Sequence, residues 1–411
     1  MKLTVRTFVF TILVSHATLL FALEPAGDSL RGWHILSATW NDKHPLDFMT
    51  IEWEYFMIHD YEGKFTGTIG YVITNPRSKG GPAANLVVPQ GGNVAIGGQV
   101  YGRQAIGDYI NFGSDHLLAN GDNKQTYFEA EKSGYWAQIT PEAGTVPLLH
   151  LQGQSEHFAW DLTVQEGTPE LLARARETGQ SFSPVSDTRA MGHIQGETWT
   201  VDAIWPRTDV AGTIKVLDTG EVLSIKGKGY RENSWGRYAM PLDGWDFLSF
   251  HEYKEDGVVA ILQTYHQSKD LDYLDLGFRD AGELKTLRFT TKDGQLKWKH
   301  HLWNFAWRPF QCVPMDWDIV AENADYRLEL TADISAEAQD PFLSNAALGT
   351  RIFFIQEQYP QVRGKIYRKI DGSVVSTFAG QAGGEFAVHK SLRGVRPQTE
   401  CQKWGTKFQS P

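Results

Sequence analysis

Cysteine is nearly absent: Cys312 and Cys401 are the two in 411 residues. That excludes a disulfide-built mini-scaffold and leaves the fold to its apolar core; the pair could join across an oxidising compartment only if the fold brought them together. Basic charge is also short, with 39 Lys and Arg against 49 Asp and Glu. Phosphate binding needs a concentrated basic surface, so nucleic acid is excluded as a partner class. Long apolar runs are missing as well. The uncharged stretch from Thr7 to Ala22 is interrupted by Thr11, Ser15, His16 and Thr18, too short and polar to span a membrane comfortably. The standard catalytic fingerprints do not occur. Gly153-Gln-Ser155 lacks the second glycine of a nucleophile elbow, and there is no phosphate loop, dinucleotide glycine motif or His-Glu-X-X-His. His300 and His301 are strand neighbours and face opposite ways, with no further ligands nearby, so neither metal nor cofactor is implied. His157, His193 and His266 stand alone and read as structural. No Asn-X-Ser/Thr acceptor occurs.

What is abundant is aromatic: 14 Trp, 15 Tyr and 22 Phe, with 40 Gly and 17 Pro for turns. Aromatic and β-branched residues fit pleated surfaces, so the expected class is all-β. The chain is too long for one ordinary core and divides into two domains. Lys2 and Arg6 before the uncharged run, with Leu20-Phe-Ala22 as a cleavage point, read as a signal peptide over residues 1–22, which makes the mature protein secreted or lumenal. Strand patterns follow, beginning with Ile51 to Ile58 and Gly67 to Thr74 and continuing through Asn85 to Pro89, Asn93 to Tyr101, Gln125 to Glu131, Tyr135 to Thr140 and Phe158 to Val164. Pro169 to Thr178 is the one convincing helix, with Gly179 just past its end. Strands resume from Gly196 to Gly227, and a second series starts at Trp245 and runs to Val388 with Asp-Gly turns at 256, 293 and 371. Two antiparallel barrels or bent sandwiches are expected, over residues 23–238 and 239–411.

The stretch Gly227-Lys-Gly-Tyr-Arg-Glu-Asn-Ser-Trp-Gly236 organises the middle of the chain. If extended, it places Tyr230 and Glu232 on one face and Arg231 on the other. A phenol beside a carboxyl, flanked by Trp235, Trp245 and Phe247, makes a polar spot in an apolar wall. The same pattern also suits a hydrogen-bonded structural corner. Alternation along Ile51 to Ile58 sets Trp53 and Tyr55 opposite Glu52 and Glu54, so these rings and Tyr230 with Glu232 share one cavity if their strands are neighbours.

Glu52-Trp-Glu-Tyr-Phe56, Trp205-Pro206 followed by Gly212-Thr-Ile-Lys-Val216, Gly229-Tyr-Arg-Glu-Asn-Ser-Trp-Gly236 and Trp245-Asp-Phe247 resemble the two-barrel lipocalin-like family of carotenoid 1,2-hydratases, AttH-type proteins and fungal Diels–Alderases. The resemblance implies two consecutive lipocalin-like β domains and a hydrophobic small-molecule partner. In the hydratase branch, Tyr230 falls on the family tyrosine and Glu232 on the family aspartate. Arg231 stands where that branch has histidine. Trp205 matches a family tryptophan, but Ala203 occupies the place of its histidine. Alkene hydration needs a strong acid, which the incomplete set puts in doubt. The resemblance therefore implies first a cycloaddition of the Diels–Alder type on a conjugated polyketide or terpenoid, driven by orientation and hydrogen-bond polarisation. Hydration of an isoprenoid alkene and non-catalytic carriage of hydrophobic ligands are the alternatives. The candidate catalytic residues are Tyr230, Glu232 and Arg231; the candidate binding residues are Trp53, Tyr55, Trp205, Trp235, Trp245, Phe247 and His251.

Overall fold

The computed structural model describes residues 33, 50–74, 91–113, 117–119, 124–130, 133–142, 146–167, 169–178, 182, 185–187, 199–237, 244–254, 257–266, 269–306, 311–342, 347–348, 351–391 and 401. The expected signal segment, the strand expected at Asn85 to Pro89 and the boundary expected near 238 lie outside the described residues.

The described residues fold almost entirely into antiparallel strands held in two large sheets. The first contains β1 (Thr50–Asp60), β2 (Phe65–Thr74), β3 (Gly91–Val100), β4 (Ile106–Gly113), β5 (Leu117–Ala119), β6 (Thr126–Ala130), β7 (Tyr135–Glu142), β8 (Leu148–Gln154), β9 (Phe158–Glu166), β10 (Val185–Asp187), β11 (Trp199–Val216) and β12 (Glu221–Arg237). Its order is β4-β3-β2-β1-β12-β11-β9-β8-β7-β6-β5, a curled sheet in which the last long strand returns beside the first. The second contains β13 (Gly244–His251), β14 (Val259–Tyr265), β15 (Tyr273–Asp280), β16 (Glu283–Thr290), β17 (Leu296–Lys299), then, past a separate two-stranded ribbon of β18 (Trp303–Ala306) and β19 (Gln311–Pro314), β20 (Asp316–Glu322), β21 (Tyr326–Asp333), β22 (Gln339–Phe342), β23 (Ala347–Leu348), β24 (Arg351–Gln358), β25 (Gln361–Arg368) and β26 (Val374–Ser391). Its main path is β16-β15-β14-β13-β26-β25-β21-β20-β17. The end strands β16 and β17 are consecutive in the chain and joined by a tight turn, so this sheet is nearly a closed barrel. The helix α1 (Pro169–Thr178) occupies the expected residues.

Each sheet encloses an apolar core, Leu248, Phe250, Leu274, Leu276, Trp298 and Trp317 among the residues of the second. The first core does not stop at its own sheet: it continues through Tyr55, Met57 and Tyr230 into Trp245, Phe247, Val259 and Ile261. For that reason β13 is buried along its whole length. Its even residues Leu248 and Phe250 face the barrel interior, while Trp245, Phe247 and His251 face the first sheet. β1 and β13 thus stand face to face, their sheets packed one on the other. Two glycines permit close approaches. A Cβ at Gly229 would lie 2.0 Å from the Met57 carbonyl oxygen, and one at Gly383 would lie 2.5 Å from the Met57 methyl.

Candidate functional site

Residues paired across neighbouring strands share a face, and the register pairs Trp53 with Ser234, Tyr55 with Glu232, Met57 with Tyr230 and His59 with Lys228. This is the face of the first sheet that meets the second. Opposite it lie Trp245, Phe247 and His251 of β13, Glu385 of β26 and Glu357 of β24. The rings touch across the gap: Trp53 and Trp245 centroids are 6.1 Å apart, Tyr55 and Phe247 6.3 Å edge-on, Tyr230 and Phe247 5.3 Å. Tyr230 also stacks on His251 at 6.2 Å.

Into this aromatic layer three carboxyls are set. Glu232 accepts hydrogen bonds from Tyr230 OH at 2.8 Å, Trp53 Nε1 at 3.1 Å and Ser234 Oγ at 3.2 Å. Burial raises its pKa, the three donors pull it back, and the charge of Glu54 pushes it up again. Glu385 accepts from Trp245 Nε1 at 2.8 Å. Its pKa is pushed up to about 7, first by burial and then by the negative charge of Glu232, against hydrogen bonds from Trp245, Tyr55 and Glu357. The third, Glu357, accepts from Tyr55 OH at 2.7 Å. Burial, followed by the charges of Glu357 and Glu385, holds the Tyr55 phenol well above its ordinary range. The layer therefore holds a carboxyl that still carries its proton in part near pH 7 among phenol and indole donors, an arrangement able to give a proton or to polarise a carbonyl.

Further along the same face His59 and His251 approach with ring centroids 6.3 Å apart. Burial lowers the His59 pKa to about 4. His251 is held well below the imidazole range by burial, then by His59, Arg207 and Lys228. Neither ring nitrogen of His59 has a hydrogen-bond partner among the described residues. His251 instead uses Nε2 with Ser249 Oγ, at 2.7 Å.

The expected residues divide between two faces. Tyr230, Glu232, Trp53, Tyr55, Trp245, Phe247 and His251 come together between the sheets. Arg231, Trp205 and Trp235 belong to the opposite face of the first sheet: Trp235 pairs in register with Glu52 and Arg231 with Trp205. There Arg231 Nε donates to Glu54 Oε2 at 2.9 Å and its guanidinium lies 4.3 Å from the Trp205 ring. Lys124 Nζ bridges Glu52 at 3.1 Å and Glu54 at 2.6 Å, and Asn233 donates to Glu52 at 2.9 Å. These charges are buried and balanced, two carboxylates against two cations, which is how a water-poor interior accommodates them. Arg231 thus secures Glu54 and is turned away from Glu232.

Glu385 and Glu357 escaped the sequence reading. Both lie far along the chain, in strands that look ordinary by pattern. One signal was present: Trp245-Asp-Phe-Leu-Ser-Phe-His-Glu-Tyr253 repeats Trp53-Glu-Tyr-Phe-Met-Ile-His-Asp-Tyr61 in residue type. The two cysteines, whose pairing the sequence left open, are joined, Cys312 in β19 to Cys401, beside Phe305, Val313, Phe386 and Val388. Among the described residues, Asp108, Glu156 and His157 bring possible metal-ligand atoms within 4.8 Å of one another. Asp108 already accepts from the His157 amide at 2.8 Å and the His157 ring engages Asp218 at 2.8 Å, so this surface group is a hydrogen-bonded corner.

No family model matches the chain, and no curated protein is significantly similar to it in sequence. Solved structures are similar in fold. An AttH protein of Nitrosomonas europaea is 16% identical, over 83% of this chain and 95% of its own, with a TM-score of 0.50. CghA is 9% identical over 84% and 89%, with a TM-score of 0.46, and has also been solved with Sch210972. Kievitone hydratase from Nectria haematococca is 10% identical over 89% and 97%, with a TM-score of 0.43. The likeness to the AttH protein fixes the architecture as two lipocalin-like β sheets in one chain.

Proposed function

We propose that the protein is an exported enzyme that takes a hydrophobic, unsaturated small molecule of polyketide or terpenoid type against the aromatic layer between its sheets and acts on it by acid assistance. The observation that carries this reading is the buried carboxyl of Glu385, raised to about 7 beside Glu232 on a wall of Trp53, Trp245, Tyr55 and Phe247. An isolated alkene is protonated only by an acid that stays protonated at working pH and meets the alkene out of bulk water. Aromatic faces then stabilise the cation that forms, as they stabilise any cation in van der Waals contact. Addition of water would complete a hydration.

A second reading, cycloaddition of the Diels–Alder type, is favoured by the donors converging on the same layer. A neutral carboxylic acid or a phenol polarises a dienophile carbonyl without a proton ever leaving it, while the rings hold diene and dienophile in contact. Export is supported by the N-terminal pattern and by the Cys312–Cys401 bridge, which persists in oxidising compartments.

Incubation of a panel of conjugated polyenes and isoprenoid alkenes in D2O separates the readings. Hydration adds one D2O with deuterium bound to carbon, and cyclisation gives an isomer without carbon-bound deuterium. Ligands that quench tryptophan fluorescence yet return unchanged would leave the chain a carrier and remove the catalytic reading.

A further inference from the structure

The two halves of the chain are built alike, and the repetition extends to the site. The order β4-β3-β2-β1-β12-β11-β9-β8 in the first sheet is echoed by β16-β15-β14-β13-β26-β25-β21-β20 in the second. In both, the first strand pairs with the second on one side and with the last long strand on the other. The facing pairs Trp53 with Trp245, Tyr55 with Phe247, His59 with His251 and Tyr61 with Tyr253 all keep one constant sequence offset. β1 and β13 therefore run parallel, residue against equivalent residue, as a local two-fold axis along the strands would place them. The last strands obey the same relation. Tyr55 pairs in register with Glu232, and its counterpart Phe247 pairs with Glu385. Each half then repeats one bond: Trp53 Nε1 donates to Glu232, and Trp245 Nε1 donates to Glu385.

We infer that Glu232 and Glu385 are the two members of a single acid–base pair, one from each half of a duplicated chain, coupled through charge across the pseudo-two-fold axis between the sheets. The inference rests on the catalytic reading above for its chemistry but not for its geometry. Chance would not place equivalent indole–carboxyl bonds on facing strands of both halves. Two carboxyls that sense each other's charge cannot both ionise readily, so one keeps its proton while the other is a carboxylate. The surroundings break the symmetry. Glu232, bonded by Tyr230, Trp53 and Ser234, is the better carboxylate; Glu385, whose burial and the facing charge of Glu232 outweigh its hydrogen bonds, is the better acid.

In a hydration the pair closes a cycle. Glu385 gives its proton to an alkene carbon, water attacks the resulting cation, and Glu232 takes the proton that the water loses. The alkene has gained one water. The proton on Glu232 then returns to Glu385, and both groups are restored. The titratable or charged groups facing or adjoining the pair are Tyr55 and Glu54 of β1, Tyr230 of β12, His251 of β13, Glu357 of β24 and, just beyond it, Tyr359.

The test needs no ligand. In the full chain labelled with 13C-glutamate, carboxyl NMR should show a buried group titrating near 7. In Glu232→Gln that titration should fall by about one pH unit or more, because the charge raising it is gone. The conservative Trp53→Phe, which removes the indole bond to Glu232, should move the Glu385 titration too. A Glu385 titration unchanged in both variants overturns the pair, whatever the protein does to polyenes. A coupled titration in a protein that transforms no polyene or alkene would support the pair while removing the catalytic reading. Where turnover is found, Glu232→Gln, Glu385→Gln and the double variant should lose similar amounts of activity, as parts of one unit do. A double variant that loses the product of the two single losses would overturn the pair.

Discussion

At the scale of single residues, what distinguishes Glu385 from the chain's many surface carboxylates is the company it keeps. Burial and the charge of Glu232 outweigh the donors around it, so it is an acid where an exposed glutamate is a base. If it donates the proton, the rate of turnover should be level below its pKa and decline as pH rises through about 7; a profile flat across the folded range would count against acid catalysis. Replacing Glu385 by Gln should cost roughly 10²–10⁴-fold in rate, the contribution of a positioned general acid, with ligand binding nearly intact. Aromatic residues separate in the same way by face. Trp53 touches Trp245 across the layer, whereas Trp235 pairs with Glu52 on the opposite face. Trp53→Ala should therefore weaken polyene binding, measured by fluorescence quenching, by about 1–3 kcal/mol, and Trp235→Ala should leave it nearly unchanged.

At the scale of strands, β12 does two jobs because alternate residues leave its two faces. Tyr230, Glu232 and Ser234 enter the layer between the sheets; Arg231 and Asn233 enter the opposite face of the first sheet, where Arg231 and Lys124 neutralise Glu52 and Glu54 and Asn233 donates a hydrogen bond to Glu52. Arg231→Met should destabilise the fold by about 3–5 kcal/mol in denaturant unfolding, because it strands a buried carboxylate. The effect on activity of the folded fraction should be small, and a large loss of rate without loss of stability would return Arg231 to the catalytic set. Gly229 is the other constraint on this strand. Since β1 passes too close for a Cβ, Gly229→Ala should force the strands apart and lower the unfolding midpoint.

At the scale of the molecule, the layer between the sheets holds two kinds of buried titratable group with opposite linkage. Glu385 binds its proton more tightly folded than unfolded, so its contribution is full below the ordinary carboxylate range and is lost as pH rises through about 7. Glu232 acts in the same direction. His59 binds its proton less tightly when folded, so its contribution is full above the ordinary imidazole value and is lost as pH falls to about 4. His251 acts with it. Between pH of about 4.5 and 6.5 the slopes oppose, and stability should be nearly level. Glu385→Gln should tilt the balance toward the histidines, costing about 1–3 kcal/mol of relative stability toward acid, read as unfolding midpoint against pH. Replacing both His59 and His251 by Gln should tilt it the other way. Independently, Cys401→Ser should cost about 2–4 kcal/mol by releasing the loop that the bridge closes.

The sequence by itself determined most of the strands, though not β4, β5, β8 or β10, together with the helix at Pro169–Thr178 and the sidedness of the central motif. These are local consequences of side-chain period, turn chemistry and capping: Trp53 falls opposite Glu54, and Tyr230 opposite Arg231, whatever else the chain does. It also carried the duplicated Trp-acid-aromatic stretch that marks β1 and β13. Only the tertiary structure decided which faces meet. Period-two alternation says which residues share a side of one strand, but not whether that side looks into a barrel or onto another sheet. Glu385 became an acid, and Arg231 a structural counter-ion, only when two distant sheets closed on one another and removed the water between them, since desolvation and the charge of a neighbour set a buried group's pKa.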